Sequence, residues 1–283
     1  MINFLHTNLP DPVIISLGGW AIHWYGALIV LGMIAGIAVA MKLAPKYGVN
    51  KETVIDLAFW LIIFGIAGAR LYHVGLEASY YLDRPWEIPM LWQGGLAIHG
   101  AIAAGVVVLW VYSRRQHISF WVLSGLLVPG LALAQAIGRW GNYFNQEVFG
   151  YPTELPWGIP ISFANRLPAY MLDTHFHPTF LYESLGNLAI FALLLLAHHY
   201  VRTKPDLDIK KLALVTLAYI FLYSLLRYTM EFFRVDQTLN IWGLRFPQAV
   251  SLILMTLVLG VWIWLKLRTN SASCKGLEKN PKR

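Results

Sequence analysis

Long apolar runs constrain this chain more than any single motif. They fall at about Ile22 to Met41, Thr53 to Leu71, Leu96 to Tyr112, Trp121 to Gly141, Glu183 to His199, Leu212 to Phe232 and Pro247 to Lys266. Each approaches the roughly 20 residues that carry a helix across about 30 Å of hydrocarbon, the third and fifth being shortest. The 283 residues are 57% hydrophobic and 13% charged, too few charges to cover a soluble domain of this size. A soluble helical enzyme with buried helices would need many more Lys and Glu on its outside. The 12 Trp and 14 Tyr are ample for aromatic belts at two interfaces. The expected fold is all-α: a polytopic membrane protein with seven transmembrane helices.

Lys and Arg supply an orientation. Lys42, Lys46, Lys51, Arg114, Arg115, Arg202, Lys204, Lys210 and Lys211, with the Lys266 to Arg283 tail, fall on one side. Only Arg84, Arg166, Arg234 and Arg245 fall on the other, mixed with acidic residues such as Glu77, Glu87, Glu154 and Asp236. The positive-inside rule then predicts an outer N-terminus and a cytoplasmic C-terminus. It also accounts for the net charge of +7 through anionic lipid headgroups, with no nucleic-acid partner. The predicted organisation is a membrane domain over residues 1–270, with an outer-face cap around 143–179, and a short basic cytoplasmic tail over 271–283. Residues 1–20 carry no Lys or Arg and contain Pro10, Asp11 and Pro12, so no cleavable signal peptide is expected and the first run is retained. Cys274, the single cysteine, lies in the tail, which rules out an intrachain disulfide.

Following the chain through these spans brings the unusual polar residues to the outer half. Tyr25 and His99 stand near the starts of spans one and three, and Tyr182 and Glu183 open span five. Arg70, then Arg139 with Asn142, then Arg227 with Glu231 stand near the outer ends of spans two, four and six. A charged side chain in hydrocarbon costs about 2.5–3.5 kcal/mol on insertion scales, so three arginines at one level imply internal partners, a cavity or an anionic ligand.

Two stretches concentrate this chemistry. In GRWGNYFNQE, residues 138 to 147, Arg139, Asn142 and Asn145 are spaced by three and would stack on one helical face, while Gly138 and Gly141 permit close approach. Glu147 and Gly150 extend this surface into the outer loop. A helix terminus whose arginine snorkels to the interface is the plainer reading of that stretch. In YSLLRYTMEFFR, residues 223 to 234, Tyr223, Arg227 and Glu231 recur every four residues. An Arg227–Glu231 pair could serve only to hold a bundle together, but two guanidiniums reaching one cavity suit a phosphodiester. His99 lies in QGGLAIHGA among Gly94, Gly95 and Gly100, and a histidine near its ordinary pKa of about 6.5 can accept a proton at neutral pH.

Other chemistries fit less well. Asp173, His175 and His177 are only weakly zinc-like and no HExxH occurs, so no metal is expected. No GxSxG nucleophile elbow is present, and the seventh span has no interior lysine for a retinal Schiff base.

These residues also resemble a known family, the bacterial phosphatidylglycerol–prolipoprotein diacylglyceryl transferases. The family signature G-R-x-G-N-F-x-N-x-E appears here as GRWGNYFNQE followed by Gly150, alongside WYG at 24–26, GGLAIHG at 94–100, HPTFLYE at 177–183 and YSLLRYTMEFFR at 223–234. Tyr143 replaces the usual Phe, and Ala101 stands where a second Gly often follows the histidine. The resemblance implies transfer of the sn-1,2-diacylglyceryl group of phosphatidylglycerol to the lipobox cysteine of preprolipoprotein signal peptides, at the bacterial inner membrane and without a cofactor. It places Tyr25, His99, Arg139, Asn142, Glu147, Gly150, Tyr223 and Arg227 at positions tied to activity, with Glu183 and Arg234 in other characteristic motifs.

On this reading His99, Arg139, Arg227, Tyr25 and Tyr223 are the candidate catalytic residues, with His99 accepting the thiol proton and the arginines gripping phosphate. Asn142, Asn145, Glu147, Gly150, Glu183, Glu231 and Arg234, together with both arginines, are candidates for substrate binding. A transporter or lipid flippase, or a receptor-like bundle, could use the same polar cavity without making a bond.

Overall fold

The computed structural model describes residues 2–202 and 209–278, and the side chains of residues 4–201 and 211–264. Lys204, Lys279, Lys282 and Arg283, which entered the orientation argument, lie outside the described residues. The helices are α1 (Ile2–Thr7), α2 (Trp24–Leu43), α3 (Lys51–Leu76), α4 (Ala78–Asp83), α5 (Ile98–Arg115), α6 (Phe120–Phe144), α7 (Thr179–Arg202), α8 (Ile209–Met230) and α9 (Phe246–Glu278). Among the described residues, three two-stranded antiparallel sheets decorate the connections: β1 (Val13–Leu17) with β2 (Trp20–His23), β3 (Ile159–Pro160) with β4 (His175–Phe176), and β5 (Asn240–Ile241) with β6 (Leu244–Arg245).

Among the described residues, six helices are long and apolar enough to cross a membrane: Trp24–Tyr47, Lys51–Leu76, Phe120–Phe144, Thr179–Val201, Lys211–Met230 and Phe246–Trp264. The segment of the remaining expected span forms α5, but its 18 residues carry His99 near one end and Arg114 with Arg115 at the other, so it is not apolar enough to qualify as the other six do. Its start lies at Ile98, two residues beyond the expected Leu96. Gly94 and Gly95 adopt φ of 84° and 71°, and Ala97 is extended, so the chain cannot turn helical earlier. At the other end of the chain, α9 runs to Glu278, so the first part of the expected tail continues the last helix.

The spans expose what a soluble helix would hide. Ile34, Leu71, Leu196 and Leu257 are each at least 60% exposed, the arrangement expected of side chains that meet lipid.

The chain divides into two compact units. The first comprises Met1–Gly36, Val128–His199 and Leu214–Arg283. A buried cluster forms around the segment between α6 and α7, where Phe149, Ile159, Ile161 and Phe176 pack with Leu5 of α1, Trp140 and Tyr143 of α6, Phe180 of α7, Tyr170 and Val235. The β3–β4 pair crosses this cluster with Ile159 opposite Phe176. α1 closes onto it: His6 Nδ1 meets the Gly158 carbonyl at 2.8 Å, and the His6 and His175 rings stack at 4.2 Å. The short connection after α8 joins the same cap through the Gly150–Arg234 bridge.

The second unit comprises Ile37–Leu127 and Tyr200–Ala213. Here α3 packs along α5 around Leu57, Leu109, Tyr112 and Leu123. The contact is closest at two glycines: a Cβ on Gly100 would lie 2.1 Å from the Gly68 carbonyl oxygen, so any larger residue would force the helices apart.

Candidate active site

α6 carries Arg139 and Asn142 to its C-terminal end, where the i, i+3 spacing works as the sequence indicates: Arg139 Nη1 donates to Asn142 Oδ1 at 3.5 Å. Asn145 lies just past that helix, its N–H on the Gly141 carbonyl at 3.0 Å. The chain then reverses through two left-handed residues, Gln146 (φ 52°) and Val148 (φ 59°). A β-branched residue in that region is costly and must be held from outside. The holders are identifiable. Gln146 Oε1 accepts the Ser162 N–H at 2.7 Å and its Nε2 donates to the Pro10 carbonyl at 3.1 Å. The Thr179 hydroxyl donates to the Val148 carbonyl. The reversal turns Glu147 back onto the helix, where its carboxylate accepts from Asn142 Nδ2 at 2.8 Å.

Two glycines shape the surroundings. A Cβ on Gly141 would lie 2.6 Å from Tyr25 Cδ2, so the glycine seats the phenol ring at the start of α2. Tyr25 there lies within electrostatic reach of both Glu147 and Arg139. A Cβ on Gly150 would lie 2.7 Å from both His177 Cβ and the Phe233 carbonyl. Gly150, a candidate for touching substrate, thus touches protein, and its bridge to Arg234 places that arginine.

The charged residues form one continuous chain within the first unit. Arg139 Nη2 pairs with Glu183 Oε2 at 2.6 Å, and Arg234 Nη1 approaches the other Glu183 oxygen at 3.4 Å. Arg234 Nε in turn meets Asp236 Oδ1 at 2.8 Å, which Arg245 Nη2 approaches at 3.8 Å. Arg245 Nε reaches Glu231 Oε1 at 2.9 Å, and Arg227 Nη1 reaches Glu231 Oε2 at 2.6 Å. The contacts to Glu231 are close ion pairs without hydrogen-bond angles. Arg139, Arg234, Arg245 and Arg227 are therefore interleaved with three carboxylates, Glu183, Asp236 and Glu231. Glu147, joined to Arg139 only through Asn142, is the fourth, and with it the formal charges of the cluster cancel.

Burial sorts these groups. Glu183 and Glu231 are 2% and 1% exposed, whereas the side chains of Arg139 and Arg227 remain about one-fifth open, at 21% and 19%. Of the three glutamates expected to touch substrate, Glu183 and Glu231 are held by arginines and Glu147 by Asn142; the guanidiniums of Arg139 and Arg227 keep accessible edges. Outside the spans, burial pushes the Asp236 carboxyl up, but the Arg234 hydrogen bond and the charges of Arg234 and Arg245 outweigh it and hold its pKa below the usual value. Tyr223 stacks on Tyr219 with ring centroids 5.9 Å apart, and Tyr219 donates to Gln135 Oε1 at 3.0 Å. A recess of about 370 Å³ with a mixed polar and apolar lining opens beside the reversal, bounded by Asn145, Glu147, Phe149, Asn165, Leu167 and Asp236 among others.

His99 and Arg70 belong to the second unit. His99 is exposed on the first turn of α5, its ring 5.9 Å from that of Tyr72. Arg70 needs no anion: it is 4% exposed and donates to the carbonyls of Glu87, Gly94, Ile88, Gly95 and Met90 at 2.6, 2.7, 2.8, 3.2 and 3.4 Å. The Ala97 N–H binds the Ala69 carbonyl at 3.1 Å, so α3 holds the chain entering α5 along several consecutive residues. Of the alternatives open for the three arginines, internal partners hold for Arg70, since backbone dipoles take up its donors.

Known proteins resemble this chain over most of its length. The family model described as prolipoprotein diacylglyceryl transferase matches residues 12–264. A Synechococcus elongatus protein named phosphatidylglycerol–prolipoprotein diacylglyceryl transferase is 44% identical over 263 residues, covering 92% of this chain and 90% of its own length. Proteins of the same name from Synechocystis sp. and Gloeobacter violaceus are each 43% identical, over 258 and 263 residues; they cover 91% and 92% of this chain, and 90% and 94% of their own lengths. The chain belongs to the prolipoprotein diacylglyceryl transferase family.

For this member of the prolipoprotein diacylglyceryl transferase family, sequence reasoning left two groups without a role. Asp236 and Arg245 complete the ionic chain, and only the fold brings them to Arg234 and Glu231. The one sequence signal was an arginine and an aspartate among the sparse charges of the short connection between α8 and α9. The five-carbonyl seat of Arg70 left a fainter trace, the Gly94–Gly95 pair whose positive φ turns those carbonyls inward.

Proposed function

We propose that this protein transfers the sn-1,2-diacylglyceryl group of phosphatidylglycerol to the lipobox cysteine of a preprolipoprotein. The cysteine sulfur forms a bond to the glyceryl carbon that bears the phosphate, the carbon–oxygen bond breaks, and glycerol 1-phosphate leaves with the electron pair. The thiol proton passes to a base. The observation that carries this reading is the pair of arginines about one-fifth open, each gripped along one edge by a buried glutamate.

A guanidinium has five N–H donors and a carboxylate engages at most two, so Arg139 and Arg227 retain donors for a phosphodiester. Held in place beforehand, those donors stabilise the charge that develops on the leaving oxygen without reorganising. Asn142, fixed between Arg139 and Glu147, orients the headgroup, and the Tyr25 phenol donates to a lipid oxygen. Glu183, Glu231 and Arg234 act on the lipid through the arginines they position. Because the charges of the cluster cancel, recognition depends on donor geometry more than on surplus positive charge, which favours release of a phosphomonoester product.

His99 is the proposed proton acceptor, since an ordinary thiol with a pKa of about 8.5 is mostly protonated near neutrality. Seven spans, with α5 as the third, an outer N-terminus and a cytoplasmic C-terminus, would put the arginine cluster beside the outer leaflet of a bacterial inner membrane. The segment over 143–179 would form a cap there, with the C-terminal residues in the cytoplasm. Phosphatidylglycerol and the lipobox helix would then both enter laterally from the bilayer.

The test is to incubate the purified protein with phosphatidylglycerol and a lipobox peptide and read intact mass. A gain of one diacylglyceryl group on the cysteine supports the proposal; vectorial lipid movement with an unchanged peptide would replace it with a flippase. His99→Gln should lower the rate about 10²–10⁴-fold while lipid still binds. Full activity of that variant across pH would remove His99 from the role.

A further inference from the structure

The connection between α8 and α9 contains a feature that this chemistry does not use. β5 and β6 form a minimal hairpin, Asn240 opposite Arg245 and Ile241 opposite Leu244, turned by Trp242 and Gly243 with φ of 51° and 81°. Positive φ at both central residues is the two-residue turn that Asn-Gly or Gly-Gly makes without strain. The β1–β2 hairpin follows that rule with Gly18 and Gly19, at φ of 51° and 92°. A tryptophan in the first of these positions is sterically unfavourable. Its indole is 99% exposed, so contacts within the chain do not compensate. Leu239 beside it is 76% exposed, and Phe232 at the start of the connection is 60% exposed.

The two segments that flank this hairpin, Lys211–Met230 and Phe246–Trp264, are membrane-spanning candidates, and the Phe246 N–H binds the Leu239 carbonyl at 2.7 Å. The apolar tip is thus tethered directly to the end of a lipid-facing helix. An aromatic ring with one N–H donor is the side chain that favours the boundary between headgroups and acyl chains. The base of the hairpin faces the ionic cluster. Arg245 pairs with Glu231 and donates to the carbonyls of Glu231, Arg234 and Asp236.

We propose that the β5–β6 hairpin is a membrane-seated brace: its Trp242 tip rests in the lipid interface and so holds Arg245 against Glu231, the residue that grips Arg227. The seating rests on the spans and the exposed tip. Its consequence for turnover rests on the transferase reading, and the two are measured separately.

Depth comes first. Full-length protein with Cys274→Ser and Trp242→Cys, spin-labelled in nanodiscs of phosphatidylglycerol and phosphatidylethanolamine, should collide more with oxygen than with a water-soluble nickel chelate. A label at Leu172→Cys, a residue of the cap that is 96% exposed, provides the aqueous reference. A Trp242 label as open to the chelate as the Leu172 label overturns the seating, whether or not the protein is a transferase. So does protection that appears only when lipobox peptide is added, which would make the peptide the occupant. Turnover comes second: Trp242→Asp should raise KM for phosphatidylglycerol in nanodiscs at least fivefold, with kcat within twofold, and Trp242→Phe should restore it. An unchanged KM in Trp242→Asp, with the label seated, would overturn the brace.

Discussion

The protein buries arginine in two ways. In the second unit Arg70 sinks to 4% exposure among five backbone carbonyls; in the first, Arg139 and Arg227 stay about one-fifth open and lean on Glu183 and Glu231. Carbonyl dipoles consume every donor they can reach and fix a loop, which suits a guanidinium whose task is architecture. A carboxylate grips one edge of the planar fork and leaves other donors directed outward, which suits a guanidinium that must receive a ligand. On the proposed function, similar charge at similar places near helix ends therefore carries two different roles.

Replacing each arginine by lysine separates the two cases. Arg139→Lys or Arg227→Lys keeps a cation beside the glutamate but loses the fork, so the bundle should stay folded while kcat/KM falls about 10²–10³-fold, the cost of one well-placed donor. Wild-type turnover by both variants would end the comparison, because the open edge would then have no use. Arg70→Lys should behave oppositely in stability. Three donors on a flexible stem cannot serve five carbonyls, and each buried carbonyl left unpaired costs about 1–3 kcal/mol. A thermal unfolding midpoint well below that of Arg139→Lys, measured in the same detergent, checks this.

How much of this contrast the sequence discloses depends on the range of each interaction. Arg139 with Asn142 at i, i+3 and Arg227 with Glu231 at i, i+4 are set by helical geometry, so spacing alone predicts both contacts. The pairing of Arg139 with Glu183 joins two helices, and that of Glu231 with Arg245 joins a helix end to a hairpin; neither has a periodic signature. The apolar runs show where the spans lie because lipid demands continuous hydrophobic length. They do not show that α5 falls short on composition, since its terminal charges are local to its ends. Arg70 is the clearest case of hidden information. Its partners are backbone atoms, which every residue possesses, so only Gly94 and Gly95 betray the seat.

A smaller effect probes the grip itself. In Glu183→Gln the carboxylate that holds Arg139 and Arg234 becomes neutral, leaving the cluster with one surplus positive charge. An anionic lipid should then bind more tightly while its phosphate sits less accurately: KM for phosphatidylglycerol falls and kcat falls about tenfold. If both parameters stay at wild-type values, the glutamate does not position the arginine.

The smallest effects are titrations in the cap that supports the arginines. Asp236 has its pKa held down by Arg234 and Arg245, so its contribution to stability is present above the ordinary carboxylate pKa and is lost only as pH falls through the lower folded value. His177 packs against Phe233, with its Nδ1 3.1 Å from the Tyr182 hydroxyl, and burial pushes its pKa down as well. Above about pH 6.5 the imidazole is neutral in both states and its support for the fold is complete. As pH drops through that value the unfolded chain takes up a proton first, so stability declines until the folded His177 titrates in turn. The midpoint of thermal unfolding, followed from pH 7.5 to pH 3, should fall in two separated steps: His177→Gln should remove part of the upper step, and Asp236→Asn part of the lower. Persistence of the whole upper step in His177→Gln would locate that sensitivity in another histidine and leave the cap's support for Arg234 independent of neutral-range pH.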